Sequence, residues 1–169
     1  ELKPEKSWNG NVNYVRKFLL KNDVFLSFDF TGFYTHFSNQ ILPDYSTDPN
    51  AIIYDNLDGY SVSKGLSLNT DFSFPNGLNL LMGATLMDVS FTEQEVTERQ
   101  ILTERFTATW GISYKLKKKG LTFDYTGNLY SPMLLPLLGD KDPRNPESPY
   151  WSLQNFQVTK KIKKSWEMY

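Results

Sequence analysis

From Ser61 to Phe74 the chain alternates with a period of two. Ser61, Ser63, Gly65, Ser67, Asn69, Asp71 and Ser73 occupy one parity, while Val62, Leu66, Leu68, Phe72 and Phe74 dominate the other. Successive side chains of an extended strand point to opposite faces, so this pattern predicts a β-strand with one apolar wall and one wall of small polar groups. Pro75-Asn76-Gly77 predicts a turn. The return arm to Val89 puts Leu78, Leu80, Met82, Ala84 and Leu86 on one face and a mixture on the other.

The same rhythm continues on both sides of this hairpin. A strand over Asn11 to about Leu20 is the least regular, because Val12, Tyr14 and Phe18 share a parity with Arg16. After a turn at Lys21-Asn22-Asp23, Val24, Leu26, Phe28, Phe30 and Tyr34 oppose Ser27, Asp29, Thr31 and Thr35. Glu104 to Lys117 sets Phe106, Ala108, Trp110, Ile112, Tyr114 and Leu116 against Arg105, Thr107, Thr109, Gly111, Ser113 and Lys115. Beyond Lys118-Lys119-Gly120, Leu121, Phe123, Tyr125 and Leu129 oppose Thr122, Asp124, Thr126 and Asn128. A seventh strand, about Tyr150 to Ile162, leads through Lys163-Lys164-Ser165 to an eighth that begins at Trp166. Glu1 to Gly10, Asn39 to Asn50, Ser90 to Thr103 and Ser131 to Pro149 read as loops, and Asn56 and Gly59 as a bulge or bend in the strand that starts near Ile52.

Short turns near Asn22, Asn76, Lys119 and Lys164 alternate with long connections near Asp44, Glu95 and Asp140. Outer-membrane barrels have this asymmetry, with short periplasmic turns at one rim and long extracellular loops at the other. A Greek-key sandwich has no reason to collect its long loops at one end of a meander. The alternating blocks run about ten to fourteen residues, and a tilted strand needs about nine to eleven to cross a bilayer. Soluble strands are shorter, about five or six residues. The expected fold is therefore all-β, an antiparallel up-and-down meander of about eight strands that forms part of a larger transmembrane β-barrel. A soluble sandwich or ligand-holding barrel remains the alternative on alternation alone, with a non-transporting membrane anchor as a third reading.

On the barrel reading Val62, Leu66, Leu68, Phe72, Phe74, Phe106, Ala108, Trp110, Ile112, Tyr114, Phe123 and Tyr125 face lipid. Ser63, Ser67, Asn69, Asp71, Thr107, Thr109, Ser113, Asp124, Thr126 and Asn128 then face the lumen. The reason is that backbone polar groups in hydrocarbon must all be paired within a closed sheet, which leaves one face for lipid and one for water. Phe74, Trp110, Tyr114, Tyr130 and Trp151 near strand ends suit interfacial aromatic girdles. The lumenal side chains of the best strands are too small to plug a closed eight-strand barrel, which also points to a piece of a wider one.

Composition adds constraints rather than chemistry. The 169 residues suit one domain, and a formal net charge of −1 gives no global field toward nucleic acid. There is no cysteine, so disulfide frameworks, thiolate metal sites and cysteine nucleophiles drop out. Aromatic residues make up 15%, which is high for a soluble domain, whereas a mean hydropathy of −0.46 looks soluble. The second number decides little, because a barrel strand hides its apolar residues at alternate positions. No apolar run reaches the length of a membrane helix and no signal peptide opens the chain.

No catalytic constellation is visible, so no enzymatic activity and no cofactor are expected. His36 is the single histidine, which excludes a multi-histidine metal site; it reads as a wall or rim residue. Glu93, Glu95 and Glu98 lack the glycine turn and the alternating Asp/Asn ligands of a calcium loop and read as a solvated connection. Lys117 to Lys119, Lys160 to Lys164 and the charged run Gly139 to Arg144 read as solvated turns or a plain loop.

Asp55-Asn56-Leu57-Asp58-Gly59-Tyr60-Ser61-Val62-Ser63-Lys64-Gly65-Leu66 resembles the asparagine, spacer, glycine, small residue, glycine pattern in the C-terminal half of TonB-dependent outer-membrane receptors. Tyr125 to Met133 and Ser148 to Lys161 resemble late barrel strands of such receptors from Bacteroidota. The resemblance covers nearly the whole chain, through architectural rather than chemical motifs. It implies a barrel of about 22 strands plugged by an N-terminal domain. It also implies import of a scarce large solute, such as a siderophore, haem, cobalamin or oligosaccharide. Its implied partners are membrane lipid, a TonB-type energy-transducing complex acting through the plug, and a surface lipoprotein. The Gram-negative outer membrane is the expected location, and this chain the expected C-terminal barrel part, without plug, energy-coupling box or complete final strand.

Overall fold

The structure, a computed structural model, describes residues 2–44, 51–137, 142–163 and 166–168. Its strands are β1 (Lys6–Leu20), β2 (Val24–Ser38), β3 (Ile41–Asp44), β4 (Ile53–Asn56), β5 (Gly59–Ser73), β6 (Leu78–Glu93), β7 (Val96–Arg99), β8 (Phe106–Leu116), β9 (Leu121–Tyr130), β10 (Trp151–Lys163) and β11 (Trp166–Met168). The main sheet runs β1-β2-β5-β6-β8-β9-β10-β11, every neighbour antiparallel and consecutive except for three short strands at one rim. The expected eight-strand meander is therefore present. Each pairing has a single register along its length, apart from a shift between β10 and β11 at Lys161 and Lys163.

The turns at one rim are built by residues suited to them. Asn22 and Asp23 take positive φ (63° and 57°) between β1 and β2, a conformation that Asn and Asp tolerate better than most residues. Gly77 closes the β5–β6 hairpin at φ 93°, and the Asn76 Oδ1 accepts the Leu78 amide at 3.1 Å. Gly120, at φ 59°, does the same between β8 and β9. The expected turn at Lys164 and Ser165 lies outside the described residues.

At the other rim the sequence reading needs correction. β1 starts at Lys6, so Lys6 to Gly10 is strand rather than loop. Asn9-Gly10 looks like a turn signal, but pairing with the end of β2 overrides it. The Asn9 amide donates to Thr35 Oγ1 at 2.6 Å, and the bare Gly10 lies under the Trp8 indole. Asn56 and Gly59 do not form a bulge. The chain changes sheets there: β4 pairs only with β3, and β5 joins the main sheet. The Asn56 side chain donates to the Asn39 and Lys3 carbonyls, and the Leu57 amide donates to the Gln40 carbonyl, which fixes the break. Ser90 to Thr103 is not a plain loop either. β6 continues to Glu93, Gln94 and Glu95 turn at φ 49° and 66°, and β7 returns along β6. The next strand accordingly starts at Phe106 and ends at Leu116, inside the expected Glu104 to Lys117.

Among the described residues the sheet has no packed core. Leu57, 8% exposed, is the one buried hydrophobic residue among those described. Leu66, Leu86 and Phe156 stand 50%, 58% and 68% exposed on the apolar face. A soluble sandwich buries such a face against a second sheet, and no second layer covers this one among the described residues.

Candidate functional site

The candidate site is the wall itself, its two faces and the structured rim above it. Residues opposite each other in a ladder share a face, so the registers extend the alternation of single strands across the sheet. One line runs Phe30, Leu68, Ala84, Ala108, Leu129, and the line beside it Thr31, Ser67, Thr85, Thr107, Tyr130, Trp151. Val62, Leu66, Leu68, Phe72, Phe106, Ala108, Trp110, Ile112, Tyr114, Phe123 and Tyr125 all fall on the first face. Ser63, Ser67, Asn69, Asp71, Thr107, Thr109, Ser113, Asp124, Thr126 and Asn128 all fall on the second. Phe74 lies just past β5, where its amide donates to the Leu78 carbonyl at 2.8 Å. Val62 is separated from its apolar companions by Lys64, whose ammonium stands 3.6 Å from Asp88 on the same face.

Two expected girdle residues sit elsewhere. Tyr130 and Trp151 stack at 4.1 Å and 10°, and the register places both on the face of Ser67 and Thr107. They therefore do not join Trp110 and Tyr114 in one belt. The cause is parity: the apolar positions of β9 are odd, and Tyr130 is even.

The polar face is internally bonded. The Asn13 amide donates to Asp29 Oδ1 at 2.6 Å and Thr31 Oγ1 at 2.8 Å, and the Thr85 hydroxyl donates to Ser67 at 3.2 Å. Glycines leave a hollow of about 350 Å³ bordered on this face by Asn69, Leu81, Gly83, Thr109, Gly111 and Thr126.

The rim is held by buried polar groups. Ser131, 6% exposed, accepts the amides of Arg105 and Phe106 on its hydroxyl at 3.1 and 3.0 Å. Arg99 donates to the Thr103 and Pro132 carbonyls at 3.0 and 3.1 Å and pairs with Glu147 at 3.4 Å, tying two connections together. Arg144 grips Asp142 through Nε and Nη2 and the Pro136 carbonyl through Nη2, so the described part of that charged run satisfies itself; Gly139 to Lys141 lies outside the described residues. The hydrogen bond and charge of Asp142 raise the Arg144 pKa further above its ordinary value. His36 stacks on Tyr60 at 5.3 Å on the rim. No group of ligating side chains among the described residues could hold a metal ion. A cavity of about 630 Å³ lies between the β3–β4 and β6–β7 hairpins, which sequence reasoning missed because β3 and β7 were read as loop and β4 as the start of the strand that continues into β5.

A bare apolar face, a bonded polar face and a rim of folded connections describe a barrel wall. The model of the family described as "TonB dependent receptor-like, beta-barrel" matches residues 1–169. The chain belongs to this family. Its members are receptors and transporters of the Gram-negative outer membrane that work with a TonB complex.

Solved TonB-dependent receptors share the fold. The siderophore receptor PirA from Acinetobacter baumannii superposes with a TM-score of 0.67 at 15% identity, covering 97% of this chain and 26% of that one. The ferric yersiniabactin uptake receptor FyuA from Yersinia pestis gives 0.66 at 16%, covering 95% and 23%. The FrpB iron transporter from Neisseria meningitidis gives 0.62 at 14%, covering 94% and 24%. The chain thus spans about a quarter of the receptors it resembles. No curated protein sequence matches. No described helix is long and apolar enough to cross a membrane, which says nothing of crossing by strands. The soluble all-β module is not favoured, since a TonB-dependent receptor barrel accounts for the bare apolar face that a soluble module has to cover.

Proposed function

We propose that this chain supplies wall strands and outer connections to a TonB-dependent importer in a Gram-negative outer membrane. The face of Leu66, Leu68, Ala108 and Ile112 meets lipid, and the face of Ser67, Asn69, Thr109 and Thr126 meets the lumen. The observation that carries the reading is the uncovered apolar face, continuous over neighbouring strands, opposite a hydrogen-bonded polar one. The apolar stretch of β6, Leu78 to Leu86, then meets Asp88, consistent with the roughly nine to eleven residues a tilted strand needs to cross.

The solute is a scarce large molecule. The similar receptors are a siderophore receptor, a ferric yersiniabactin uptake receptor and an iron transporter, which favours an iron-carrying solute over cobalamin or oligosaccharide. A plug outside this chain couples the barrel to the TonB-type complex, and a surface lipoprotein docks on the outer connections. The two late-strand segments, Tyr125 to Met133 and Ser148 to Lys161, support a receptor of the Bacteroidota type.

Because the chain has no cysteine, single cysteines report facing cleanly. In the complete receptor reconstituted in vesicles, Ser67→Cys reacts with a water-soluble maleimide and Leu68→Cys does not. Equal reaction at both positions, or a monodisperse monomer in detergent-free buffer, overturns the membrane reading. Loss of solute-dependent growth on deleting the receptor gene tests import.

A further inference from the structure

The cavity between the two rim hairpins is a built space with a chemistry of its own. Its apolar lining includes Leu57, Phe91 and Ile101, and its charged lining is Asp55, Glu93, Glu98 and Arg99. At about 630 Å³ it falls within the range of about 300 to 1,000 Å³ typical of small-ligand sites. Glu93 and Phe91 pair with Gly59 and Ser61, and Glu98 pairs with Phe91, so these side chains share the face of Ser63 and Ser67. The cavity opens on the polar side of the wall.

The charges do not cancel locally. The one guanidinium has its donors already committed, to the Thr103 and Pro132 carbonyls and to Glu147. None of the three carboxylates has an ion-pair partner among the described residues. Two of them accept backbone amides: Asp55 that of Asn56 at 2.7 Å, and Glu93 that of Asp58 at 3.3 Å. An apolar floor edged by unpaired carboxylates disfavours an anion and suits a cationic head on an apolar body.

We propose that this cavity binds organic cations, an ammonium or guanidinium group carried on an aliphatic or aromatic body, as part of the solute that the receptor takes up. The apolar body packs on Leu57, Phe91 and Ile101, and the cation sits among Asp55, Glu93 and Glu98. The assignment rests on the import reading for its biological role, but not for its chemistry. Anionic ferric chelates are then poor occupants of this cavity, in contrast to the solute class suggested by the names of the similar receptors.

Three probes with one apolar body separate charge from packing: 4-phenylbutylamine, 4-phenylbutanol and 4-phenylbutyrate, titrated calorimetrically into the complete receptor in detergent. The amine is expected to bind about two- to fivefold tighter than the alcohol, the scale of an exposed to half-exposed charge pair. The acid is expected to bind weakest. The amine preference shrinks in 0.5 M salt, by screening. Glu93→Gln with Glu98→Gln brings amine and alcohol together, whereas Phe91→Ala weakens all three probes. No binding, equal binding of the three, or an amine preference that persists in the double variant overturns the proposal. Heat-modifiable gel migration identifies any variant that fails to fold, and the single Glu98→Gln variant then takes its place. Import without charge preference sinks the cavity assignment alone. An amine preference in a chain that is a detergent-free monomer sinks the import reading alone.

Discussion

Trp110 of β8 lays its indole across Gly127, its partner in the ladder with β9, so closely that a β-carbon on Gly127 would stand 2.5 Å from Trp110 Cε2. An aromatic ring covering a cross-strand glycine restores the contact that the missing side chain gives up. The pair lies on the apolar face, and Tyr125 extends it with a ring centroid 6.3 Å from the indole. Gly127→Ala should therefore displace the indole and cost about 1 to 3 kcal/mol, as overpacking does. Trp110→Leu in the same chain should return part of that cost, so the two changes are strongly non-additive. Thermal unfolding of the four members of this cycle in detergent checks it, and simple additivity would contradict the contact.

Ser131 joins two strand ends with one oxygen. Its buried hydroxyl accepts both the Arg105 and Phe106 amides, and its own amide donates to the Phe106 carbonyl at 2.9 Å. Ser131→Ala leaves two backbone donors short of a partner, a loss of about 1 to 3 kcal/mol. Hydrogen exchange should accelerate at Arg105 and Phe106 first, while amides in the middle of β8 keep their protection.

Arg99 is the tie between the connection that follows β7 and the one that follows β9. Its side chain is 15% exposed and donates to carbonyls of both. Arg99→Ala should loosen residues 100–105 and 131–135 together, seen as faster exchange in both peptides, and leave the wall strands unchanged. Lysine is a poor replacement, because a compact ammonium lacks the planar fork that reaches two carbonyls and a carboxylate at once. Exchange that accelerates in only one of the two connections would show that they move independently.

The wall was legible in the sequence because a period of two is imposed on single strands and needs no knowledge of their neighbours. Leu66 and Ser67 announce their opposite faces before any partner is known. The ladders then add what one strand cannot carry, that Leu68, Ala84 and Ala108 fall on one line. The rim was not legible for the same reason in reverse. β3 and β7 are four residues each, too short for alternation to register, β4 reads as one strand with β5, and the hairpins depend on Gln94 and Glu95 in positive φ and on Asn56 bonds to distant carbonyls. Asn9-Gly10 misled because a dipeptide favoured in turns also serves inside a strand when a ring needs its bare backbone. Nothing in the sequence placed Leu57, Phe91 and Glu93 around one cavity, since they meet only once the two hairpins fold.

The facing of the wall gives the sharpest substitution test. Leu68 and Ala108 sit on one line of the apolar face, with Ala84 between them, and Ser67 and Thr107 sit on the adjacent polar line. In lipid, an arginine at either apolar position has no water to hydrate it near the midplane, so Leu68→Arg and Ala108→Arg should each cost about 2 to 4 kcal/mol. Ser67→Arg places the same side chain toward water and should be nearly neutral. The penalty should also depend on depth. Val62 lies beyond the Lys64–Asp88 ion pair, at the charged edge of the same face, so Val62→Arg should cost only about 0 to 1 kcal/mol, as near an interface. Refolding equilibria in lipid vesicles measure all four. A large cost at 68 and 108 with little at 67 and 62 is the expected ordering, and a uniform cost at all four would refute a lipid-facing wall whose hydrocarbon band ends at Lys64.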